Sequence, residues 1–301
     1  MSTIPFFDAE AIRRALPATL AVDAVTAALR GGLDPAAGVA RTSVPLAHGE
    51  LMLMPAEWAG YAGVKVLTVA PGNPARGLPR INAVYVLFDS TTLQPVALLD
   101  GAALTTARTP AVTVAAIRPI LDRRRQPLRL VIFGAGPQGR AHLETLAAHY
   151  DLDSVDIVVA SPAPTGGFLR SGSEEVRHAV GRAHVVVCAT TAATPLFDSR
   201  LLRDDAVVAA IGSHEPDARE VDAAFCARAT VLVEDTATAL RECGEVVLAV
   251  EQGTLSPDHL LPMAQLVRGE RPPPAGAVLY KGSGMSWQDL VIARAVVTAP
   301  A

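Results

Sequence analysis

The chain has 301 residues, of which 50% are hydrophobic; this composition excludes a disordered or fibrous protein and leaves room for about two domains. The net charge is −4 and the 26 basic residues are scattered, so no nucleic-acid-binding surface is indicated. No apolar run reaches the ~18 residues of a membrane-spanning helix, and the opening MSTIPFFDAE lacks the pattern of a secretion signal. We expect a soluble, cytoplasmic protein that binds neither nucleic acid nor membranes.

Cysteine and histidine give no sign of a metal site. The three cysteines, Cys188, Cys226 and Cys243, are odd in number and widely spaced, which is typical of neither a disulfide framework nor a metal knuckle and suits a reducing compartment. The seven histidines form no H-x-H or H-x-x-x-H pair. We therefore expect no metal chemistry.

Lysine is rare in this chain, where only Lys65 and Lys281 occur among the 26 basic residues. An ammonium group is compact and shifts its pKa readily on burial, whereas a guanidinium stays charged. A lysine kept in so arginine-rich a chain therefore indicates a site that needs a compact, titratable cation. Survival by chance is the alternative for each of the two.

The first 127 residues predict two helices followed by a mainly antiparallel sheet. Helices are expected over 8–16, capped by Asp8, and over 20–32, which ends on glycines. Five β-like segments follow, separated by turn sequences. They span residues 39–46, 50–56, 61–70, 81–89 and 95–100. A helix is expected from Leu104 to Ile117, and residues 118–127, with their run of three arginines, are interpreted as a solvated linker.

From residue 128 the pattern changes to buried strands that alternate with helices. The apolar runs are LRLVIF, SVDIVVA, HVVVCAT, AVVAAIG and ATVLVE. This alternation predicts a parallel, doubly wound sheet of the Rossmann type. The last helix, MSWQDLVIARAVV, follows the break RPPPAG and is expected to pack back on the first domain. The predicted fold is α/β, with the parallel sheet over 119–276 inserted into an α+β domain made of 1–118 and 277–301.

A glycine-rich motif stands between the first of these strands and a helix. Residues 134–139, GAGPQG, match G-x-G-x-x-G in the strand–loop–helix context that this motif needs to bind a dinucleotide. Gly134 makes the turn, Gly136 admits the pyrophosphate to the backbone, and Gly139 allows close packing of the helix. Pro137 and Gln138 open that helix, whose N-terminal amides favour anions. We predict a dinucleotide site; a glycine-rich turn without a ligand is the alternative.

The choice between NAD and NADP depends on the residue after the second parallel strand. An acidic side chain there binds the adenosine ribose and favours NAD, but SVDIVVASPAPTGG offers only Ser161 at this place. Arg170 is the nearest candidate for a 2′-phosphate. The missing acid favours NADP slightly. The short connection to His184 also predicts a crossover helix reduced to SEEVRHAV.

Several motifs occur together in an order that identifies a family. Residues 64–116 contain K-V-x-x-x-x-P-x-N, G-L-P, L-L-D-G and L-T-x-x-R-T, and GAGPQGRAH, GSHEPDAREVD and KGSGMSWQDL follow. With these motifs the chain resembles the ornithine cyclodeaminase/mu-crystallin family along nearly its whole length. The resemblance implies a Rossmann domain inserted into a substrate-binding and dimerisation domain, a homodimer, and hydride transfer between nicotinamide and the carbon of an amino or imino acid.

The resemblance also implies which residues bind the ligands. The substrate carboxylate is assigned to Arg41, Lys65 and Arg108, and Lys65 is assigned a catalytic role as well. The alternative for Arg41 is that it is only a solvated charge on an edge strand. Arg108 is expected at a helix start, and its alternative role is a structural ion pair. Beyond the glycine loop and Ser161, the implied cofactor contacts are Arg80, Arg108, Thr109, Thr190, Gly282 and Ser283.

Two positions depart from the pattern of the ornithine cyclodeaminases. Where those enzymes have an aspartate that acts on the amine, this chain has His214. A histidine titrates near neutrality and can protonate an imine nitrogen, but it lacks the permanent negative charge that attracts ornithine's second ammonium. A loop histidine bonded to backbone is the alternative. The tail reads KGSG instead of K-S-x-G, which moves the hydroxyl to Ser283.

These observations favour an NAD(P)-dependent oxidoreductase that reduces a small cyclic 2-imino acid, or that runs the same reaction backwards as an amino acid dehydrogenase. Ring-forming deamination of the cyclodeaminase type is one alternative. The other is a non-catalytic cofactor- or ligand-binding protein similar to mu-crystallin. The short connection after the second parallel strand favours this binding protein because it weakens the expected adenosine site.

Overall fold

The computed structural model describes residues 3–161 and 167–299, so most of the segment SPAPTGG lies outside the described residues. The chain divides into two compact units. The first consists of Met1–Val112 with Met285–Ala301, and the second of Thr113–Gly284. The second unit is thus one continuous segment that lies in sequence between the two parts of the first.

The elements are numbered along the chain. The strands are β1 (Phe6–Phe7), β2 (Thr42–Leu46), β3 (Gly49–Trp58), β4 (Tyr61–Val69), β5 (Ile81–Asp89), β6 (Pro95–Asp100), β7 (Leu128–Phe133), β8 (Leu152–Val159), β9 (Leu169–Arg170), β10 (Val185–Cys188), β11 (Val207–Ala210), β12 (Thr230–Val233), β13 (Leu260–Pro262) and β14 (Val278–Lys281). The helices are α1 (Ala9–Ala15), α2 (Ala18–Arg30), α3 (Gly101–Leu121), α4 (Pro137–Ala147), α5 (Glu174–Arg182), α6 (Ala223–Arg228), α7 (Thr236–Glu242), α8 (Gly244–Glu251), α9 (Met263–Val267) and α10 (Ser286–Thr298).

The first unit contains a six-stranded sheet in the order β1-β6-β5-β4-β3-β2. Strands β2 to β6 pair antiparallel with their neighbours, and β1 runs parallel to β6. Strands β3 and β4 are joined by Ala59 and Gly60, which have φ angles of 50° and 84°, as a tight two-residue hairpin turn requires. The predicted antiparallel sheet is confirmed. The two predicted N-terminal helices are α1, capped by the Asp8 side chain, and α2, which ends before Gly31.

Helix α3 starts earlier and ends later than predicted. The carboxylate of Asp100 accepts hydrogen bonds from the amides of Ala102 and Ala103, each 2.9 Å long, and so caps the helix at Gly101. A Cβ on Gly101 would lie 2.7 Å from that of Ala83, so the helix start needs glycine. Arg108 is consequently inside the helix, and its predicted place at a helix start is wrong. Part of the predicted linker, up to Leu121, is also helical.

The second unit contains an eight-stranded sheet in the order β13-β12-β14-β11-β10-β7-β8-β9, and all its neighbouring strands are parallel. Strands β10 and β11 are buried at every residue, which is typical of a sheet covered on both faces by helices. The doubly wound prediction is confirmed. The crossover helix before β10 is α5, which begins one residue after the predicted start at Ser173.

Strand β14 lies in the parallel sheet, between β11 and β12, so its predicted place in the first domain is wrong. The four residues Val278–Lys281 are all buried, and they form the short apolar strand that fills the gap between two others. The chain returns to the first unit only at Met285. The expectation that the last helix packs on the first domain is confirmed, because α10 belongs to that unit and contacts β3, β4 and α2.

No helix in the described part of the chain is long and apolar enough to cross a membrane. Cys188, Cys226 and Cys243 are buried free thiols. Burial raises the pKa of Cys226 and of Cys243 to about 12, so both thiols are unreactive. The reducing compartment inferred from the sequence stays a prediction.

Candidate active site

The glycine loop between β7 and α4 has the geometry that the motif predicts. Gly134 follows the last residue of β7 with a φ of +105°, and a Cβ there would lie 2.5 Å from the carbonyl oxygen of Ala189. A Cβ on Gly139 would lie 1.9 Å from the carbonyl oxygen of Gly134. Both positions therefore require glycine, one for the turn and one for the close approach of helix to loop.

Gly136 differs from the other two glycines of the motif, Gly134 and Gly139, because it faces open space. No atom of the described residues lies within 4 Å of the place that its Cβ would take. Gly136 is the N-cap of α4, and no side chain in the described part of the chain caps that helix end. The positive end of the helix dipole therefore faces this space, which is what a dinucleotide pyrophosphate needs. The residues present fit this group.

The carboxyl end of β8 is the expected position of the adenosine ribose. Ser161 follows β8 and is exposed, and no acidic side chain occurs between Val159 and the end of the described segment. Strand β9 pairs with β8 so that Arg170 lies beside Val159. Arg170, the arginine that the sequence offers for a 2′-phosphate, therefore lies beside the carboxyl end of β8.

In the first unit, Lys65 is buried and bound to an aspartate from the last helix. Its Nζ lies 2.8 Å from Oδ2 of Asp289 and donates a second hydrogen bond, 3.3 Å long, to the hydroxyl of Thr105. The side chains of Lys65 and Asp289 are 4% and 0% exposed. Lys65 projects from the same sheet face as its cross-strand partner Tyr85, on which α10 also packs.

Arg108 belongs to the same cluster. Its Nη1 donates a 2.9 Å hydrogen bond to the side-chain carbonyl of Gln288, and its Nε lies 4.0 Å from Oδ1 of Asp289. Adjacent residues of α10 therefore hold the two cations, Gln288 the arginine and Asp289 the lysine. Two buried cations share one buried carboxylate, which leaves this trio with a formal charge of +1.

Three polar atoms of this cluster are buried without a hydrogen-bond partner among the described residues. They are the hydroxyl of Tyr85, Nε of Arg108 and Oδ1 of Asp289. Buried polar groups are normally paired, so these unpaired ones, two of which belong to the Arg108–Asp289 pair, indicate a place for a polar ligand or water.

The environment gives Lys65 an unusual pKa. Burial lowers the pKa of its ammonium from 10.5 to about 8; the charge and hydrogen bond of Asp289 oppose this shift, and the charges of Arg108 and Arg41 add to it. A lysine with this pKa is largely protonated at pH 7 and can release its proton during a reaction. Burial also raises the pKa of Tyr85 well above 10, which keeps its phenol neutral.

The other predicted ligand residues of the first unit take different environments. Arg41 precedes β2, is half-buried, and lies near enough to Lys65 to influence its pKa. Thr109 is on α3 one residue after Arg108 and donates its hydroxyl proton to the carbonyl of Thr105. Arg80 is exposed, directly before β5. Lys65 and Arg108 thus belong to one buried cluster, and the charge of Arg41 acts on it. The binding of a substrate carboxylate by these three residues stays a prediction.

The remaining predicted residues lie at the carboxyl edge of the parallel sheet. Thr190 follows β10, and its amide and hydroxyl both donate to Glu220. Gly282 and Ser283 follow β14, where the amide of Ser283 donates a 3.1 Å hydrogen bond to Glu234. His214 is in the loop after β11 and is exposed. Each of these residues therefore follows the carboxyl end of a parallel strand, and their contact with a cofactor stays a prediction.

The second lysine is also buried and paired. Nζ of Lys281 lies 2.9 Å from Oε2 of Glu245, with neither side chain exposed, and donates a 2.6 Å hydrogen bond to the carbonyl of Ser213. Burial lowers the pKa of Lys281, but the charges around it, chiefly that of Glu245, raise it above its usual value overall. Both lysines that the sequence analysis singled out are therefore buried beside a carboxylate and have shifted pKa values.

Asp289 and Gln288 are the site residues that sequence reasoning missed. They occur in the quoted motif KGSGMSWQDL, yet no role followed from it. A signal was present, because α10 is otherwise rich in apolar residues on all sides. A helix of this kind is buried, and a carboxylate inside it needs a cationic partner.

Comparison with known proteins agrees with the motifs. The profile of the ornithine cyclodeaminase/mu-crystallin family matches residues 9–299. The chain belongs to this family. The resemblance stated from the sequence is thereby confirmed, and with it the expected combination of a Rossmann sheet and a second α+β unit.

Two family members with 31% identity cover 98% of this chain, which in turn covers 95% of each. One is Delta(1)-pyrroline-2-carboxylate reductase 2 of Burkholderia ambifaria, and the other is the Delta(1)-pyrroline-2-carboxylate/Delta(1)-piperideine-2-carboxylate reductase of Azospirillum brasilense. The fold is similar to that of Delta(1)-pyrroline-2-carboxylate reductase from Thermococcus litoralis, solved with NADH and L-proline. That structure superposes with a TM-score of 0.86 at 22% identity, over 98% of this chain and 96% of the other.

Proposed function

We propose that this protein reduces a small cyclic 2-imino acid, such as pyrroline- or piperideine-2-carboxylate, to the cyclic amino acid with NAD(P)H. The names of the two relatives at 31% identity support this substrate class. The same groups catalyse the reverse oxidation of the amino acid, because a catalyst accelerates both directions.

The buried trio of Lys65, Arg108 and Asp289 is the observation that carries the proposal. Its formal charge of +1 is buried, so an anionic partner stabilises it. A substrate carboxylate supplies that charge. Arg108, whose Nε is buried without a hydrogen-bond partner in the described chain, is the proposed carboxylate ligand together with Arg41.

Lys65 is the proposed proton donor. Reduction of a C=N bond needs a hydride at carbon and a proton at nitrogen, and an ammonium with a pKa of about 8 can supply that proton near neutral pH. Asp289 fixes the ammonium through the 2.8 Å contact and stabilises its charged form. His214 is the second proposed donor, since a protonated imidazole can also give a proton to an imine nitrogen. Replacing each residue separately shows which one controls the pH dependence.

The glycine loop is the proposed binding site of the dinucleotide. Gly134 and Gly139 shape the loop, Gly136 faces open space at the start of α4, and Gln138 in the first turn of that helix is a proposed contact of the pyrophosphate. Bound nicotinamide supplies the hydride. The family resemblance supports further cofactor contacts at Arg80, Arg108, Thr109, Pro137, Ser161, Thr190, Gly282 and Ser283.

We further propose a slight preference for NADP. An acid that would bind the ribose of NAD is missing after β8, and Arg170 lies beside Val159 at the end of that strand. Arg170 is exposed, and a guanidinium is the group that binds a phosphate in bidentate fashion.

A homodimer formed through the first unit is also proposed. Strand β2 is exposed at every residue and contributes apolar side chains, with Val44 and Leu46 44% and 51% exposed. Phe6 is 60% exposed. An edge strand with apolar residues needs a cover, and a second copy provides one. Sedimentation at low micromolar concentration should give a mass of at least a dimer.

The reaction is tested by following nicotinamide absorbance with pyrroline- and piperideine-2-carboxylate, and in parallel with L-ornithine. Oxidation of NAD(P)H in proportion to the cyclic amino acid formed is the expected result. Conversion of L-ornithine to proline without net cofactor change would identify a cyclodeaminase instead. Binding of the dinucleotide without turnover of any imine would identify a binding protein.

A further inference from the structure

A buried glutamate that the proposed reaction does not use joins two loops of the parallel sheet. Glu220 has no exposed surface. Its Oε1 accepts hydrogen bonds from the amide (2.7 Å) and the hydroxyl (2.8 Å) of Thr190, and its Oε2 accepts one from the amide of Gly212 (2.8 Å). One carboxylate thus fixes the loop after β10 and the loop after β11.

These loops are at the position where a doubly wound sheet binds its ligand. The order of strands reverses around β7, which has β8 on one side and β10 on the other, and ligands bind beyond the carboxyl ends of strands at such a point. The loop after β10 touches the glycine loop directly. A Cβ on Gly134 would lie 2.5 Å from the carbonyl oxygen of Ala189 and 3.4 Å from Cγ2 of Thr190.

The two loops held by Glu220 are also packed against each other. A Cβ on Gly212 would lie 2.1 Å from the carbonyl oxygen of Thr190 and 2.6 Å from Oε1 of Glu220. A shift of Thr190 would therefore be transmitted both to Gly134 and to Gly212. The spacing of these loops depends on the single carboxylate between them.

Glu220 is itself held in place by the second buried lysine. The backbone amide of Glu220 donates a 2.8 Å hydrogen bond to Oε1 of Glu245, whose other oxygen lies 2.9 Å from Nζ of Lys281. Lys281 in turn binds the carbonyl of Ser213, next to Gly212. The network therefore returns to the loop after β11, where it starts.

We propose that Glu220 is a positioning residue for the dinucleotide, which sets the distance between the glycine loop and the loop after β11 through Thr190 and Gly212. This inference rests on the proposed binding of a dinucleotide to the glycine loop. Glutamine at position 220 keeps the shape of the side chain but replaces one acceptor oxygen by an NH2 group. That group would face a donor, either from Thr190 or from Gly212, and one loop would move.

The test is a fluorescence titration of NADPH and NADH with the wild type, Glu220→Gln, Thr190→Val and the double variant. Glu220→Gln is expected to raise the Kd about 10-fold, which corresponds to loss of a hydrogen bond to a charged acceptor. The KM for the imine at saturating dinucleotide should stay within about 2-fold, because substrate binding involves other residues. The double variant should bind no more weakly than the weaker single variant, because both changes break one contact.

Glu251→Gln is the matched control, since Glu251 is exposed at the end of α8. Circular dichroism of each variant separates the lost hydrogen bond from a general loss of folding. Wild-type affinity in Glu220→Gln, or effects that multiply in the double variant, would overturn the inference. If Glu220→Gln does not fold, wild-type affinity in Thr190→Val overturns it equally. A wild type that binds neither dinucleotide would instead refute the proposed function.

Discussion

Oδ2 of Asp289 lies 2.8 Å from Nζ of Lys65, although the two residues are 224 positions apart in the chain. Neither side chain is more than 4% exposed. Burial alone would drive Lys65 towards its neutral form, and the adjacent carboxylate limits that shift, so the pKa settles at about 8. The last helix therefore controls the charge of a residue on the central strand β4.

This relationship predicts the pH dependence of the reaction. If Lys65 acts as an acid, imine reduction falls as pH rises through about 8, because only the protonated form donates. In Asp289→Asn the carboxylate that raises the pKa is removed. The descending limb of the pH–kcat profile should therefore move to lower pH.

The exposed Asp258→Asn should leave this profile unchanged. Asp289→Asn removes one partner of a buried ion pair and should also lower the free energy of unfolding by about 3 kcal/mol. The profile must therefore be recorded at a temperature at which circular dichroism shows the folded variant. If the descending limb of the pH–kcat profile stays at the same pH in folded Asp289→Asn, Lys65 is not the titrating acid.

Lys65→Arg tests whether the ammonium is needed rather than a positive charge. Arginine keeps the charge, but its planar fork is larger and does not release a proton at any working pH. Loss of a well-placed contact to a charged group costs about 2–4 kcal/mol, or roughly 30- to 1000-fold in kcat/KM. Arg125→Lys, in the exposed segment after α3, is the control and should have no effect. Near wild-type turnover in folded Lys65→Arg would remove Lys65 from the reaction.

Gly136→Asp should abolish dinucleotide binding and leave the fold intact. No atom of the described residues lies within 4 Å of the Cβ position, so the side chain fits, but its carboxylate occupies the place that the pyrophosphate needs and repels it. Fluorescence titration with NADPH measures the loss. Gly181→Asp on α5, where the nearest atom is 3.5 Å away, is the matched control. Unchanged affinity at position 136 would contradict the cofactor assignment.

Arg170→Ala tests the proposed preference for NADP. Removal of a guanidinium that binds the 2′-phosphate should raise the Kd of NADPH about 10-fold and leave that of NADH within about 2-fold. Arg177→Ala, on the exposed side of α5, is the control. Equal effects on the two dinucleotides would show that Arg170 does not recognise the phosphate.

Local features could be predicted from the sequence, and long-range ones could not. The glycine loop is predictable from the sequence because strand, turn and helix are consecutive, and the close approach of Gly139 to the carbonyl oxygen of Gly134 is local. The strands of both sheets follow from apolar runs between turn sequences. The start of α3 was placed too late because the cap by Asp100 is a single side-chain interaction that apolar periodicity does not reveal.

The partners of the two lysines illustrate the limit. Lys65 and Lys281 stood out by their rarity, but Asp289 and Glu245 reach them only through the packing of α10 and α8. Strand β14 was assigned to the wrong unit for a related reason. The composition of its four residues is compatible with either sheet. Their position between β11 and β12 is a long-range pairing that the sequence does not show.

Hydride transfer to the imine carbon is tested most directly with NADPH carrying deuterium at C4 of the nicotinamide. The protein is incubated with this cofactor, labelled in turn on each face of the ring, and pyrroline-2-carboxylate, and the proline formed is analysed by mass spectrometry and NMR. One deuterium at C2 of proline from one of the two labelled faces, in equal amount to the cofactor oxidised, is the predicted result. Proline without deuterium from either form, or no proline while the dinucleotide stays bound, would contradict it.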